Sequence, residues 1–427
     1  MRLYQLFRKS NFKKSNFKKS NIFLNRKNII FKIIKISFIL ILYILYEFYI
    51  TKIINNIAIT KTNKYNNFEK EFQHIQEFLN INLNGTLLDS KTFHKSKNPK
   101  ISIIITVYNG EAYIKSSLLS IQNQDFKDIE IIMIDDFSQD KSVDLIKELM
   151  KSDPRIVLYQ NENNKGMLYT KTKGFLNAKG KYVMALDEDD LYAQRNCFTA
   201  LYKEAEINNL DILGFALIIS KNPLVKGVYM HYYDTPILFQ PNVSKRMYDV
   251  KPNGRVIRNG DLTSIYLFKT AFIIKAIKQI DNKYLNVKMN HYDDYLLFFH
   301  LTRKAYNLKQ IKRIFYIVLK WPKNMNKQMI FREEEKKKNT MDEKCLGIIN
   351  LLEFYLMNTN NTYEDKKIAS YEFRDKFINY NCKNNNFTRK IGINLCKLYL
   401  NDKYIETDLK NEILGFMNET DKNIANI

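Results

Sequence analysis

Four consecutive acids stand at the end of an apolar run, in a chain whose formal net charge is +23. The run, Tyr182–Leu186, has the composition of a buried strand, and Asp187–Asp190 (DEDD) follows it directly. Neighbouring carboxylates repel one another, so a cation, a helix start or bound protons must offset their charge. Carboxylate oxygens are hard ligands that bind Mg²⁺ or Mn²⁺, and these ions usually take substrate phosphates as further ligands. The acidic stretch therefore predicts a divalent-cation site.

The same acids can also be interpreted as the first turn of a helix. Asp190 would then be the N-cap of a helix over Leu191–Ile207, where free amides and the helix dipole stabilise carboxylates. This arrangement accounts for one or two of the acids but leaves the others without a stabilising partner. We therefore assign the cap to Asp190 and the cation to Asp187 and Asp189. Glu188 is expected to point away from the site.

Short apolar, β-branched runs alternate with helical spacing in the segment that leads to this stretch. Such runs, bounded by turn residues, are typical of strands buried on both faces. Their alternation with helices through short links predicts an α/β domain with a mostly parallel sheet. The predicted strands are Ile101–Val107, Ile129–Ile134, Ile156–Tyr159 and Tyr182–Leu186, and the predicted helices are Glu111–Gln124, Ser142–Met150 and Thr170–Ala178.

Polar residues follow three of these predicted strands. In open parallel sheets, ligands bind outside the carboxyl ends of the strands. Thr106–Asn109, Asp135-Asp136 and Asp187–Asp190 are therefore expected to line a single site.

The remainder of the chain allows a coarser prediction. Asp211–Ser220 and Ile314–Leu319 are apolar runs typical of strands, and Thr270–Gln279 has helical spacing. From Phe331 onward the pattern is helical and rich in charges of both signs. We treat residues 331–427 as a separate helical appendage.

The N-terminal part of the chain is basic and then apolar. Eleven Lys and Arg residues and no acid lie within residues 1–46. The apolar segment 29–54 is long enough for a membrane-spanning helix, and the basic flank before it favours a cytosolic N-terminus. We expect a basic cytosolic tail at 1–28, an uncleaved transmembrane signal anchor at 29–54 and a stem or linker at 55–98. A cleaved signal peptide or a core helix is the alternative for the apolar segment.

Composition and motifs argue against several classes of protein. None of the four cysteines forms a CxxC pair, which argues against a structural zinc site. No GxGxxG or P-loop spacing is present, which disfavours dinucleotide and P-loop chemistry. A nucleic-acid partner is not expected, because it would rest on net charge alone and much of that charge flanks the apolar segment.

Three stretches of the chain resemble the motifs of family 2 glycosyltransferases of the GT-A fold. They are SIIITVYNGEAYIKSSLLSIQNQ, IEIIMIDDFSQDKS and NNKGMLYTKTKGFLNAKGKYVMALDEDD, in order and properly spaced within Lys100–Leu191. The resemblance implies a GT-A domain (nucleotide-diphospho-sugar transferase, Rossmann-like) over 99–330. It further implies metal-dependent, inverting transfer of a sugar, expected to be a hexose, from a nucleoside-diphosphate sugar. A UDP-sugar is the favoured donor, and the acceptor is a hydroxyl of a glycan, lipid or protein.

The resemblance also implies roles for individual residues at the strand ends. Thr106 and Tyr108 match the end of the first strand, which lines the nucleotide pocket. Asp136 matches the acid that hydrogen-bonds the base. Asp187 and Asp189 match the DxD pair, in which the first acid faces ribose and metal and the second holds the metal. The implied cofactor is a divalent cation, Mn²⁺ or Mg²⁺.

Three more charged residues match the family farther along the chain. Lys171 stands where the family often has Arg, so it keeps the charge that would bind the diphosphate but lacks the guanidinium fork. A solvated helix lysine is the alternative. Asp293 and Asp294 match the downstream acidic motif, whose second position, Asp294, is the catalytic base that receives the acceptor proton. The alternative is an N-cap of the helix that follows.

The third protein ligand of the metal is left open by the sequence. The family often has a His near the end of this region, and Trp321 and Pro322 occupy that place here. His291 and His300 are candidate ligands, although an isolated His is more often structural.

Two other functions compete with this one. The missing His and the Lys171 change keep open a catalytically inactive GT-A-like protein that binds nucleotide or glycan. A haloacid-dehalogenase-like phosphatase also ends a strand in DxD, but its acids end the first strand and a Thr or Val follows where this chain has Leu191.

With the predicted anchor, we expect a single-pass membrane enzyme of the endoplasmic reticulum or Golgi, with the catalytic domain in the lumen.

Overall fold

A computed structural model describes residues 73–86, 93–220, 228–230, 234–250, 256–258, 262–319, 341–357, 363–373, 386–402, 405 and 407–424. The predicted basic tail and membrane anchor lie outside these residues, as do Trp321 and Pro322. Within the described residues, no helix is both long and apolar enough to cross a membrane.

The described part of the chain contains an α/β arrangement with a ten-stranded sheet. The strands are β1 (Ile101–Val107), β2 (Ile129–Asp135), β3 (Ile156–Gln160), β4 (Tyr182–Asp187), β5 (Leu191–Tyr192), β6 (Ile212–Ser220), β7 (Val228–Met230), β8 (Leu238–Phe239), β9 (Tyr248–Val250), β10 (Val256–Arg258), β11 (Tyr266–Lys269) and β12 (Asn307–Leu319).

Helices cover the sheet and form most of the C-terminal region. They are α1 (73–84), α2 (Ile114–Gln122), α3 (Ser142–Ser152), α4 (Met167–Asn177), α5 (Cys197–Ile207), α6 (Asn242–Met247), α7 (Thr270–Ile277), α8 (Asn282–Leu285), α9 (Asp293–Lys304), α10 (Met341–Met357), α11 (Tyr363–Glu372), α12 (Asn386–Asn401) and α13 (Thr407–Ile424). A 3₁₀ turn, Thr263–Ile265, precedes β11.

The sheet has the order β3-β2-β1-β4-β11-β6-β12-β5, with β7 beside β6 and β8 beside β12, while β9 and β10 form a separate pair. β1 to β4 are mutually parallel, and β12 runs parallel to β6. β11 runs antiparallel between β4 and β6. All seven residues of β1 are buried, as expected for a strand covered by helices on both faces. The predicted α/β fold with a mostly parallel sheet is confirmed.

Helix α4 lies unusually close to the sheet. A Cβ atom at Gly174 would stand 2.3 Å from Cγ2 of Ile104 in β1 and 2.8 Å from Cδ1 of Ile134 in β2. Only glycine allows this approach, because any side chain would overlap the strand residues. This close packing fixes the position of α4 relative to the sheet, and with it the position of Lys171.

Part of the predicted linker 55–98 is folded. Helix α1 buries Ile75, Phe78 and Leu79. Its buried Asn82 accepts, through Oδ1, a hydrogen bond of 2.7 Å from Nδ2 of Asn123 at the end of α2. These residues have the i, i+3, i+4, i+7 spacing of an amphipathic helix, so the signal was present in the sequence and was missed.

Helices α10 to α13 make up most of the described part of residues 331–427. Apolar side chains of α10 to α13 belong to the same buried cluster as those of the sheet. The ring of Tyr355 in α10 packs 4.2 Å, centroid to centroid, from that of Phe299 in α9. The charge pattern of the sequence indicates only which helix faces are solvated. It does not indicate that the apolar faces share a core with the sheet.

Candidate active site

The polar residues that follow the first, second and fourth strands meet at one edge of the sheet. Thr106 in β1 is the register partner of Asp187 in β4, and Val107 is the partner of Asp135 in β2. The backbone N–H of Asp136 donates to the carbonyl oxygen of Val107 at 2.8 Å. The predicted convergence at the carboxyl edge is therefore present.

The four acids after β4 are not equivalent. Asp187 and Asp189 are half-buried, whereas Glu188 and Asp190 are buried. Glu188 does not point into solvent: a Cβ at Gly110, just after β1, would stand 2.8 Å from its Cγ. Asp187 and Asp189, which alternate along the turn, are therefore the two carboxylates that are partly exposed, although Oδ1 of Asp187 is itself buried.

Asp190 is not a helix cap, which corrects the prediction of a helix over Leu191–Ile207. The next two residues form β5, which pairs with β12, and α5 begins at Cys197. The Asp190 carboxylate accepts hydrogen bonds from Oη of Tyr316 at 2.8 Å and from the N–H of Leu319 at 3.1 Å. Burial raises the pKa of Asp190 well above its usual range, and the charges of Asp189 and Asp187 add to the shift.

Tyr316 joins the two ends of the acidic turn. Its Oη donates to Oδ2 of Asp190 and accepts from the backbone N–H of Asp187 at 3.2 Å. The ring is buried in β12, so the hydroxyl is held in place by packing. Tyr316 thereby fixes the turn that presents Asp187 and Asp189.

We expect Tyr316→Phe to lower the free energy of unfolding by about 1–3 kcal/mol, because buried partners lose their hydrogen bonds. Urea denaturation of the full chain measures this change. Tyr306→Phe is the matched control, since the Tyr306 side chain is mostly exposed and its variant should stay within about 0.5 kcal/mol of the parent. Equal effects of the two substitutions would contradict the role given to Tyr316.

Asp136 anchors the loop that leads into α4. Its Oδ1 accepts hydrogen bonds of 2.8 Å from Nδ2 of Asn161 and from the N–H of Lys165. Its Oδ2 accepts from the N–H of Gly166 at 2.9 Å, where the backbone is left-handed (φ 86°) and the helix begins. Contact of Asp136 with a nucleobase stays a prediction, whereas the loop anchor is a role that the sequence did not reveal.

Thr106 and Tyr108 lie at the end of β1, beside the acidic turn. Thr106 is buried, and its Oγ1 has no hydrogen-bond partner in the part of the chain that the structure describes. Tyr108 is half-buried, just beyond the strand. Both positions are consistent with the predicted nucleotide pocket.

Lys171 is the buried cation of the site. Its Nζ lies 2.9 Å from Oδ1 of Asp294 and 3.3 Å from Oδ2 of Asp293, and the side chain is 2% exposed. Burial alone would lower the pKa of Lys171, but the charges of Asp294, Asp293 and Asp187 hold that pKa well above its usual value. The alternative of a solvated helix lysine is therefore wrong.

Asp294 is anchored through one oxygen only. Oδ1 accepts hydrogen bonds from Nζ of Lys171, from the N–H of Thr263 at 3.2 Å and from Oγ1 of Thr263. Oδ2 makes no hydrogen bond with the described residues, and the side chain is 15% exposed. The carboxylate is thus fixed in orientation while its second oxygen remains available for a proton.

Thr263 is a site residue that the sequence did not reveal. It is fully buried in the 3₁₀ turn before β11, in a region without readable periodicity, and it reaches Asp294 across 31 residues of chain. No local pattern identifies such a contact, since a buried Thr is most often an ordinary packing residue.

Asp293 and Asp294 occupy the first turn of α9, and the cap position is Tyr292, without a side-chain cap. The alternative that the acids serve as the N-cap is therefore wrong. Burial raises the pKa of Asp293 to about 6, with the charge of Lys171 opposing the shift and those of Asp294 and Asp187 adding to it. Lys171 thus holds both acids, and burial favours the neutral form of Asp293.

Neither candidate histidine, His291 or His300, belongs to a set of metal ligands among the described residues. Nε2 of His300 is 2.9 Å from the carbonyl oxygen of Ala276, and burial lowers the pKa of His300 to about 4. His300 is therefore structural, while His291 precedes α9 in the loop that carries the acids. Among the residues that the structure describes, no group of three or more His, Cys, Asp or Glu side chains is arranged to hold a metal ion.

The donor set at the acidic turn nevertheless fits a hard divalent cation. Asp187 and Asp189 offer carboxylate oxygens on half-buried side chains, and Mn²⁺ and Mg²⁺ prefer such oxygens over nitrogen or sulfur. Mg²⁺ in particular is often bound through one or two carboxylates together with substrate phosphates and water. Two protein ligands are therefore sufficient for an ion that arrives with a diphosphate.

Comparison with known proteins agrees with this arrangement. The sequence profile of glycosyl transferase family 2 matches residues 102–262. An uncharacterized glycosyltransferase of Haemophilus influenzae is 41% identical over 95 residues, which are 22% of this chain and 38% of that protein. The GalNAc(5)-diNAcBac-PP-undecaprenol beta-1,3-glucosyltransferase of Campylobacter jejuni is 36% identical over 129 residues, which are 30% of this chain and 41% of that protein. The chain thus spans about two fifths of the length of these relatives.

Solved structures of S. aureus TarS share the fold. The crystal structure of TarS 1-349 in complex with UDP-GlcNAc aligns with a TM-score of 0.51 at 15% identity, covering 73% of this chain and 82% of that one. The complex with UDP has the same TM-score of 0.51 and covers 75% and 88%. Likeness at this identity concerns the fold alone, and it supports the predicted GT-A fold. The match over residues 102–262 places this part of the chain with glycosyl transferase family 2, as the sequence motifs predicted.

Proposed function

We propose that this protein is a metal-dependent, inverting glycosyltransferase that moves a sugar from a nucleoside-diphosphate sugar to an acceptor hydroxyl. The observation that carries the proposal is the Asp294 carboxylate, with Oδ1 held by Lys171 and Thr263 and Oδ2 left available. A general base needs this combination of fixed orientation and a free oxygen.

The reaction is a single displacement at the anomeric carbon. Oδ2 of Asp294 takes the proton of the acceptor hydroxyl while the hydroxyl oxygen bonds to the anomeric carbon. The bond between that carbon and the diphosphate oxygen breaks, and the electron pair leaves with the nucleoside diphosphate. Attack on the face opposite the leaving group inverts the configuration. Lys171 and Thr263 keep the base oriented through Oδ1, and Thr106, Tyr108 and Asp136 are proposed to line the nucleotide pocket.

Asp187 and Asp189 are proposed to hold the divalent cation. The ion, Mn²⁺ or Mg²⁺, would supply positive charge that stabilises the departing diphosphate. Lys171 is less suited to direct diphosphate binding than the sequence suggested, because Asp293 and Asp294 already engage its Nζ.

We expect Asp189→Ala to weaken Mn²⁺ binding in the presence of UDP by at least about 100-fold, since even outer partners of metal ligands contribute 10–100-fold. Calorimetric titration of Mn²⁺ into the full chain with UDP measures this directly. Asp144→Ala, which removes an exposed acid of α3, is the control and should leave the affinity unchanged. Parent-like Mn²⁺ affinity in Asp189→Ala would exclude this residue as a ligand.

The donor is proposed to be a UDP-hexose or UDP-N-acetylhexosamine. Support comes from the TarS complex with UDP-GlcNAc and from the glucosyltransferase of Campylobacter jejuni, both relatives of this chain by fold or sequence. The acceptor is a hydroxyl of a glycan, a lipid or a protein.

A screen of UDP- and GDP-sugars against the full chain in detergent tests the proposal. Release of nucleoside diphosphate that requires Mn²⁺ or Mg²⁺ is the expected result with at least one donor. Tight UDP binding without release from any donor would instead favour a catalytically inactive nucleotide-binding protein.

The localisation is proposed from the basic tail and the apolar segment 29–54, as a single-pass membrane protein of the endoplasmic reticulum or Golgi with a cytosolic N-terminus. Cys345 in α10 is disulfide-bonded, which suits the oxidising lumen. Protease treatment of sealed microsomes should leave the catalytic domain intact; its digestion would contradict a lumenal location.

A further inference from the structure

Helix α10 packs against the segment that delivers the two acids of α9. That segment runs from α8, at Asn282–Leu285, to Asp293, and it contains no regular element after α8. Because a loop has few backbone hydrogen bonds of its own, its conformation depends on what it packs against. Helix α10, which packs against this loop, therefore influences the positions of Asp293 and Asp294.

Two buried residues of α10 contact this loop. A Cβ at Gly347 would stand 3.2 Å from the carbonyl oxygen of His291 and 3.9 Å from Cδ2 of Tyr292. Nδ2 of Asn350, one turn further along, donates to the carbonyl oxygen of Tyr284 at 3.2 Å and lies 3.0 Å from Sδ of Met289. Glycine at 347 lets the helix backbone approach the residues immediately before Asp293.

Tyr292 has a backbone conformation that needs external support. Its φ is 67°, in the left-handed region that bulky residues rarely adopt. Such conformations persist when the surrounding structure determines them, and they occur at functional sites. Tyr292 is the cap position of α9, so its conformation sets the direction in which the first turn, with Asp293 and Asp294, leaves the loop.

Helix α10 also contacts the body of α9. The ring of Tyr355 packs against Phe299, and that of Phe354 packs 6.5 Å from it, centroid to centroid. The contacts at Gly347, Asn350 and Tyr355 hold one helix against the loop and the helix that together carry the acids.

We infer that Gly347 is a positioning residue for sugar transfer, which acts through His291 and Tyr292 on the placement of Asp294. The inference rests on the proposed function of Asp294. It makes the C-terminal helices part of the catalytic apparatus, although they lie beyond the family match at 102–262. A side chain at 347 displaces the loop and moves the base away from the acceptor hydroxyl.

The test compares substitutions at Gly347 with the same substitutions at Gly415, in α13, where a Cβ would meet nothing within 4 Å. Alanine raises helix propensity at both positions, so propensity is matched and only the contact differs. We expect Gly347→Ala to lower kcat about 5-fold and Gly347→Leu about 100-fold, as misplacement of a catalytic group approaches 1 Å. The Gly415 variants should keep the parent kcat.

Three readouts separate positioning from mere folding. For Gly347→Ala, the KM for the sugar nucleotide and the Kd for UDP should stay within about 2-fold of the parent, because misplacement of Asp294 alters the chemical step rather than donor binding. The melting temperature should stay within a few degrees of Gly415→Ala. A parent-like kcat per folded molecule in both Gly347 variants would overturn the inference. Absence of turnover in the parent protein would instead overturn the proposed function on which it rests.

Discussion

Replacing Asp294 with Asn is expected to lower kcat for sugar transfer by about 10²–10⁴-fold, the range that general-base catalysis contributes. The amide oxygen of Asn can still accept the hydrogen bonds that Lys171 and Thr263 donate to Oδ1. The other atom becomes an amide nitrogen, which cannot take a proton from the acceptor. The loss should therefore appear in kcat, with UDP binding within about 2-fold of the parent.

Initial rates at saturating donor, together with calorimetric Kd values for UDP, measure both quantities. Asp144→Asn, at an exposed position of α3, controls for the loss of a carboxylate elsewhere and should retain full activity. A loss of less than 10-fold in Asp294→Asn, with UDP binding intact, would exclude Asp294 as the base.

Replacing Lys171 with Met is expected to lower the free energy of unfolding by about 3–5 kcal/mol at pH 7, the usual cost of removing one partner of a buried ion pair. The substitution keeps the apolar length of the side chain but leaves Asp293 and Asp294 together without a cation. The expected loss of stability is large because the Lys171 side chain is only 2% exposed, so solvent cannot replace the lost charge.

The effect depends on pH in a defined direction. In the parent, the pKa of Asp293 is raised to about 6 from an ordinary value of 3.8, so the folded state binds the proton more tightly than the unfolded state. A raised acid pKa contributes stability that is present below the unfolded value and is lost as pH rises through the folded value. Without Lys171 the pKa rises further, so the deficit of Lys171→Met should shrink as pH falls from 7 to 5.

Urea denaturation at pH 5, 6, 7 and 8 measures the deficit. Lys171→Arg, which keeps the charge, is the control and should lose less stability than Lys171→Met at pH 7. A deficit that is the same at pH 5 and pH 8 would show that lost packing, rather than the uncompensated acids, is its source.

The parts of the fold that local patterns specify are the parts that sequence analysis predicted correctly. β1 and β4 are continuous apolar runs ended by polar residues, and a strand buried on both faces needs nothing more to be recognised. The convergence of Thr106, Asp136 and Asp187 follows from the rule for parallel strand ends.

Long-range contacts account for what was missed. The partner of Asp190 is Tyr316, 126 residues away, and the pairing of β5 with β12 replaces the predicted helix start at Leu191. Lys171 can be buried because it forms an ion pair with Asp294, 123 residues away, whereas a Lys on a helix is ordinarily solvated. The sequence carries no local signal for either contact.

Proton NMR of a UDP-sugar incubated with the full chain, Mn²⁺ and an acceptor identified from the donor screen shows whether Asp294 catalyses inverting sugar transfer. We expect UDP to appear together with a new glycosidic anomeric signal of inverted configuration, and we expect Asp294→Asn to abolish both signals on the same timescale. Transfer with retained configuration, or equal rates for the parent and Asp294→Asn, would exclude inverting transfer with Asp294 as the base.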